Sequence, residues 1–434
     1  MRPWFIFPIL PLLLILLFSG CYGRKGAARN APDDTVDAVE DAAAAAERER
    51  AAQETVMRYA ASRIAAALDD RRLAAQVIIS GIDGKGHLPH YMRLLLEECP
   101  AGGIMLFRYN LDADNDAVQG LIAETAALIT AENSVELHIA GEEGPENTGE
   151  KAIAAIPPFV AVDHEGGTVN RFRPGVADLP PAASYRETAH DKDSAIAQVN
   201  TGSFNAGTAI NALGVNLNLA PVAEYLHDDN RDFLEDRSYG TDPAFAAEAA
   251  AAFIAGMEQA GILCVVKHFP GSAGADPHRF PSVLKGGREA LAELTAPVAA
   301  LIRGGHARAI MVSHSTVPAW DSENIASLSP AVMGDWLRQE LGFEGIIVCD
   351  DFSMAAASGP AATGGQNHLK PETAAVLSLA AGADMVLVWP PDLRRTHRAI
   401  LAALGDGRLS RERLREAAGR IIFEKIRTGL LHDE

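Results

Sequence analysis

The run GIIVCDDFSM, residues 345–354, frames the reading of this chain. Apolar side chains and a cysteine follow one another without a break from Ile346 to Cys349, and then come two carboxylates, Asp350 and Asp351. A short unbroken apolar run fits a strand covered on both faces, because a solvent-facing side would need alternating polar residues. The two acids have a plain reading, a polar loop after a strand. They also have a pointed one, a strand that holds an acid at a reaction centre.

Seven more runs of this kind recur: QVIISGI (76–82), GGIMLFRY (102–109), PFVAVDHEGG (158–167), VNLNLAPVAEY (215–225), GILCVVKHFPG (261–271), ARAIMVSHS (307–315) and DMVLVW (384–389). Helical segments separate them. In one, Ser329 is placed to cap the helix, Pro330 occupies its first turn, Met333, Trp336, Leu337 and Leu341 share a face, and Gly342 ends it. Doubly covered strands alternating with helices form parallel sheets through right-handed crossovers, and eight of them close a barrel. The expected fold is α/β, a (β/α)8 TIM-type barrel forming a single catalytic domain over residues 66–434.

The 434 residues carry 38 Lys and Arg against 57 Asp and Glu, a formal net charge of −19. A chain this acidic repels phosphate backbones, which argues against nucleic acid as a partner. The cysteines Cys21, Cys99, Cys264 and Cys349 show no CxxC pairing, so neither a zinc site nor a disulfide framework is expected. Cys264 and Cys349 sit inside apolar runs and read as buried thiols.

Residues 1–20 have the layout of a secretory signal peptide: Arg2, an apolar run from Trp4 to Phe18, then small Ser19 and Gly20. Pro8 and Pro11 disfavour a stable spanning helix. Cys21, directly after the small residues, looks like the end of a bacterial lipobox, although Phe18 departs from the more usual Leu or Ala. Cys21 is therefore the expected lipidation site, and the expected location is a bacterial membrane, with the body facing periplasm or exterior. Residues 21–65, rich in Ala and Glu, are helix-prone with little apolar face and read as a tether. SVELHIAGEEGPENTGEKA (134–152) fits no barrel element and reads as a mobile acidic insertion.

Chemistry in such a barrel sits at the carboxyl ends of the strands. Those ends carry Asp163, His164 and Glu165, then Glu224, then Lys267 and His268, then His314, then Asp350 and Asp351. Polar groups at the same end of five strands converge on one cavity. With no HExxH, no CxxC and no Gly-rich phosphate loop, that cavity reads as an acid–base or covalent site for a polar substrate. Carbohydrate fits, because its hydroxyls need carboxylate and cationic partners. Its hydrolysis needs one group to stabilise an oxocarbenium-like transition state and another to protonate the leaving oxygen. Asp350 is the best placed carboxylate nucleophile. The loop after KHFPG supplies Asp276 and His278, and a carboxylate beside an imidazole raises its pKa and fixes its tautomer for donating and recovering a proton.

The blocks KHFPG, DHEGGTVNRF, ASLSPAVMGDWLRQELGFEGIIVCDDFSM and RIIFEKIRTGLL resemble glycoside hydrolase family 3, in particular its single-barrel β-N-acetylglucosaminidases, from about Ala74 to the C-terminus. The resemblance implies double displacement through a glycosyl-enzyme intermediate, needing no metal or cofactor, with Asp350 as nucleophile and Asp276 and His278 as the acid/base dyad on a flexible loop. It also implies that Asp163, Arg237 (in RSYG), Lys267 and His268 hold sugar hydroxyls and that His314 lines the site. The implied substrate is terminal β-linked N-acetylglucosamine on cell-wall peptidoglycan fragments or chitin-type oligosaccharides. Two departures stand out. The family usually continues KHFPG with HGD and a longer run, whereas this chain reads KHFPGSAGADPH, and Cys349 replaces the usual Ser before the nucleophile. They keep open a family 3 glycosidase or phosphorylase of other specificity, and a catalytically weak sugar-binding lipoprotein. Asp351 reads as structural, bonding local backbone, and Glu165 and Glu224 are left without a role.

Overall fold

The computed structural model describes residues 34–138, 151–274, 276, 279–354, 357 and 369–431. The signal segment 1–20, Cys21, His278 and the centre of the acidic insertion lie outside the described residues. Eight parallel strands close a barrel: β1 (Ile78–Gly81), β2 (Gly103–Leu106), β3 (Phe159–Val162), β4 (Leu217–Asn218), β5 (Leu263–Phe269), β6 (Ala309–Val312), β7 (Ile346–Cys349) and β8 (Met385–Val388). Neighbours in the chain are neighbours in the barrel, and β8 returns to β1 with Val386 opposite Ile78. All strand residues are buried, as expected of strands packed on side chains inside and on helices outside. The eight expected apolar runs each hold one of these strands. Cys99, Cys264 and Cys349 are free and buried.

Three features differ from expectation. The helix Asp34–Ala67 buries one face of its last turns. Ala61, Ile64 and Ala65, with Leu68 just beyond, are buried in the barrel's core cluster, and the Arg58 guanidinium lies 4.5 Å over the Phe423 ring of the closing helix Arg411–Arg427. Small alanines let two helices approach closely, so a continuous large apolar stripe is not required. The helix after Ser329 forms over Ala331–Glu340, and the Ser329 hydroxyl accepts the Val332 N–H at 3.1 Å, as a cap should. Its turns are wider than expected: Leu341 N–H donates to Trp336 O, five residues back, and Leu341 is left half-buried. The flanks of the acidic insertion are ordered as an antiparallel ribbon, Val135–His138 against Lys151–Ala154, outside the barrel.

Candidate active site

Two cavities meet at the carboxyl ends of the strands, sharing Asp163, Arg171, Asp350, Met354 and Leu387. The deep one holds about 140 Å³ and the wide one about 830 Å³, and Asp350 lines both, at their junction.

The deep pocket is an ion-paired cluster. Lys267 Nζ, 4% exposed, lies 2.9 Å from Asp163 Oδ1 and 2.6 Å from Glu165 Oε1. Arg237 donates through Nε and Nη2 to the two oxygens of Glu165 at 2.7 and 2.9 Å, a fork-on-carboxylate geometry that fixes the plane of both groups. Burial alone would raise the Glu165 carboxyl, but Lys267 and Arg237 outweigh it and hold its pKa at about 2. Burial likewise opposes ionisation of Asp163, and Lys267 and Arg171 overcome it. Both stay carboxylates, and burial cannot strip the proton from Lys267, which the same two acids hold above its ordinary range. A neighbouring pair is built alike: His268 Nδ1 donates to Glu224 Oε1 at 2.6 Å, directing its other nitrogen away from that carboxylate.

Asp350 follows β7 directly. Its N–H donates to Val312 O at 3.3 Å, and its Oδ1 accepts the Asp351 N–H at 2.9 Å. His314 braces the same turn: Nε2 donates to Asp351 O at 3.0 Å and Nδ1 accepts the Ser327 hydroxyl at 2.7 Å. Burial lowers its pKa, so it works as a neutral imidazole with the proton on Nε2. Asp351 is more than a local backbone acceptor. It takes Ser353 N–H on Oδ1 at 2.8 Å, and on Oδ2 both the Ser353 hydroxyl and Trp389 Nε1–H at 2.5 Å.

Asp276 lies in the loop after β5, with its carbonyl accepting the N–H groups of Arg279 and Phe280, and is not among the residues lining these two cavities. Its dyad partner His278 lies outside the described residues. The loop lacks the HGD turn, yet both its stems are held. Ser272 N–H and hydroxyl donate to Glu224 at 2.6 and 3.2 Å. Across the loop Ala273 N–H donates to Ser282 Oγ, which contacts Ser315 Oγ at 2.8 Å, and Ser315 donates to Gly271 O.

Asp163, Arg237, Lys267, His268, His314 and Asp350 are thus brought to one place. Sequence reasoning missed Arg171, whose Nη2 lies 3.4 Å from Asp163 Oδ2, although it stands inside the DHEGGTVNRF block. It also gave no part to Glu165 and Glu224, which orient the cations, nor to the aromatic wall of Phe107, Tyr109 and Trp389 along the wide cavity.

Comparison with known proteins places the barrel in a family. Residues 95–423 match the glycosyl hydrolase family 3 N-terminal domain. A β-hexosaminidase of Stenotrophomonas maltophilia (strain K279a) is 35% identical over 250 residues, covering 56% of this chain and 70% of that one. A family 3 β-N-acetylglucosaminidase from Paenibacillus sp. str. FPU-7 superposes with a TM-score of 0.71 at 29% identity, over 84% of this chain and 63% of that longer one. NagZ from Neisseria gonorrhoeae, solved with N-trifluoroacetyl-D-glucosamine, superposes with a TM-score of 0.60 at 26% identity, over 80% of this chain and 89% of that one. With the family domain matched over most of its barrel, this chain is a member of glycoside hydrolase family 3.

Proposed function

We propose that this glycoside hydrolase is a retaining β-N-acetylhexosaminidase that removes terminal β-linked N-acetylglucosamine from cell-wall or chitin-type oligosaccharides. The observation that carries the reading is the position of Asp350, at the junction between a pocket of fixed charges and a wide open cavity. A sugar ring in the deep pocket meets charge-assisted partners in Asp163, Lys267, His268 and Arg237, which are already oriented by Glu165 and Glu224. Its anomeric carbon then faces Asp350.

In the first step the Asp350 carboxylate forms a bond to the anomeric carbon while the glycosidic C–O bond breaks, and the dyad of His278 and Asp276 gives a proton to the leaving oxygen. In the second, the imidazole takes a proton from water, the water oxygen bonds to the anomeric carbon, and the ester to Asp350 breaks. Two inversions leave the β configuration. The names of the relatives support the N-acetylglucosamine specificity. Lipid attachment at Cys21, with the body held at a bacterial membrane, completes the proposal. It rests on the signal-like segment before that residue.

Turnover of an aryl β-N-acetylglucosaminide and an aryl β-glucoside, measured side by side with and without inorganic phosphate, tests the activity. Release from the N-acetyl substrate alone, lost in Asp350→Ala, is expected. Stimulation by phosphate would instead indicate phosphorolysis, and sugar binding without turnover would indicate a receptor. Fractionation of cells carrying Cys21→Ala tests the anchor, with the protein expected to leave the membrane fraction.

A further inference from the structure

Among the described residues, Glu235 alone holds a left-handed backbone without being a glycine, with φ 47° and ψ −122°. That combination is open to glycine and strains any residue that carries a Cβ. The Glu235 side chain is exposed, and the helical turn that it ends, Arg231–Leu234, is short. Both flanks of that turn are held. On one side the Asn230 side chain accepts the His227 N–H at 2.9 Å and donates to Tyr225 O at 3.0 Å. On the other, Asp236 O accepts the Ala183 N–H at 3.1 Å, Arg237 is forked on Glu165, and the Ser238 hydroxyl donates to Glu224 O at 2.7 Å. Glu235 is thus the last residue of the turn before the fixed part begins. The turn itself carries Phe233 as a wall of the deep pocket, with the ring centre 5.1 Å from Arg237 Cζ and 6.4 Å from the centre of the His268 ring. Leu234 is buried beneath it but is not part of the barrel's core cluster.

The size of the pocket says what this turn has to do. The deep pocket holds about 140 Å³, whereas sites for small organic ligands run from about 300 Å³ upward. A sugar ring among its charges therefore needs a wall that gives way. Asp163, Glu165, Lys267 and Arg237 are cross-linked by ion pairs and cannot part without leaving buried charges alone. Phe233 is half-buried, and its ring meets the pocket only through its contacts with Arg237 and His268. We infer that the turn Arg231–Leu234 is a gate over the deep pocket, with Glu235 as its hinge. In the closed form Phe233 covers Arg237, and Glu235 carries the strained backbone. In the open form Glu235 takes an ordinary φ, and Phe233 swings off Arg237 to make room for the transferred ring. The strain lowers the cost of opening, which a glycine at this position would not do. The gate rests on the hexosaminidase reading above, which puts the ring in that pocket, and goes further by giving the pocket a moving wall.

The test compares Glu235→Gly with Glu235→Ala in three measurements: kinetics on the aryl β-N-acetylglucosaminide, thermal unfolding, and calorimetric titration with N-acetylglucosamine. Glycine removes the strain and alanine keeps it, while both remove the carboxylate. In Glu235→Gly the closed form is relieved, so the unfolding midpoint is expected to rise by about 3 °C. Opening then costs more, so KM and the Kd for N-acetylglucosamine rise about fivefold while kcat stays within about twofold. Glu235→Ala is expected to match the unaltered protein in all of these. In a Phe233→Ala background, where the covering ring is gone, Glu235→Gly should no longer raise KM. A raised midpoint with unchanged KM and Kd overturns the gate, because the strain then acts on the fold alone. Equal changes in the two Glu235 variants also overturn it, since the lost carboxylate would then be the cause. An unmoved midpoint in Glu235→Gly removes the strain, and the hinge with it. Failure of the underlying reading looks different: the unaltered protein then neither cleaves the N-acetyl substrate nor binds N-acetylglucosamine, and the gate falls with it.

Discussion

Replacing Lys267 by methionine removes the cation shared by two buried carboxylates, and the structure sets the size of the effect. Lys267 Nζ sits 2.9 Å from Asp163 Oδ1 and 2.6 Å from Glu165 Oε1. Glu165 keeps both bonds from Arg237, but Asp163 keeps only Arg171 at 3.4 Å. Removing one partner of a buried pair costs about 3–5 kcal/mol, and the cover retained by Glu165 puts this variant near about 3 kcal/mol. At roughly 2 °C per kcal/mol for a large domain, the midpoint of thermal unfolding falls by about 6 °C. Chemistry shifts in parallel. Burial pushes the Asp163 carboxyl up and Lys267 holds it down, so in Lys267→Met its pKa rises. The acid limb of kcat/KM moves to higher pH, and at neutral pH the loss of one charge-assisted contact to substrate lowers kcat/KM by about a hundredfold. Thermal unfolding and a pH–rate profile on the aryl N-acetylglucosaminide read both effects. A midpoint within 2 °C of the parent (about 1 kcal/mol at most) together with an unmoved acid limb would refute the reasoning.

Three further predictions concern the frame of the site. Glu165 has its pKa lowered from 4.5 to about 2, so its contribution to stability is fully present above pH 4.5 and is lost as pH falls towards 2. Denaturant unfolding stepped through that range should show a loss of about 3 kcal/mol from this group, flattened in Glu165→Gln. Ile64→Ala, in the buried turns of the N-terminal helix, should cost about 3 kcal/mol, while Glu47→Ala on the exposed turns should change stability by less than about 0.5 kcal/mol. Equal effects at the two positions would mean that the helix does not pack on the barrel in solution. Asp384 is fully buried among Arg338, Arg413 and Arg420, at 2.5, 2.8 and 3.2 Å. Asp384→Asn should destabilise by about 3–5 kcal/mol and leave kcat of the folded fraction unchanged, which calorimetry with active-site titration would show.

The strands and their polar ends were legible because burial on both faces keeps the strand interiors mostly apolar. Polar residues such as Asp163, just beyond β3, and Lys267, in the last half of β5, then stand out. Barrel closure does the rest by pointing those ends at one axis. Features that depend on which strands become neighbours were not legible. The stack of Phe107 on Trp389 exists because β8 returns to β1 and β1 lies beside β2, and neither residue carries a local signal of that meeting. Arg171 lies on the turn beyond its partner Asp163 and is revealed only by the fold of that turn. The burial of Ala61 and Ala65 in the core was hidden because alanine contributes helix propensity and little hydrophobic contrast. Leu341 escaped its expected face because the helix widened, which no residue spacing announces.

The most direct test of the central claim is covalent trapping of Asp350. A 5-fluoro N-acetylglucosaminyl fluoride slows the second displacement more than the first, so the glycosyl-enzyme ester accumulates and can be located by intact-mass and peptide mass spectrometry. One sugar per chain is expected, on the peptide spanning GIIVCDDFSM and attached to Asp350, with no adduct in Asp350→Ala. An adduct on Asp351 or on any other carboxylate, or turnover that persists in Asp350→Ala, would contradict it.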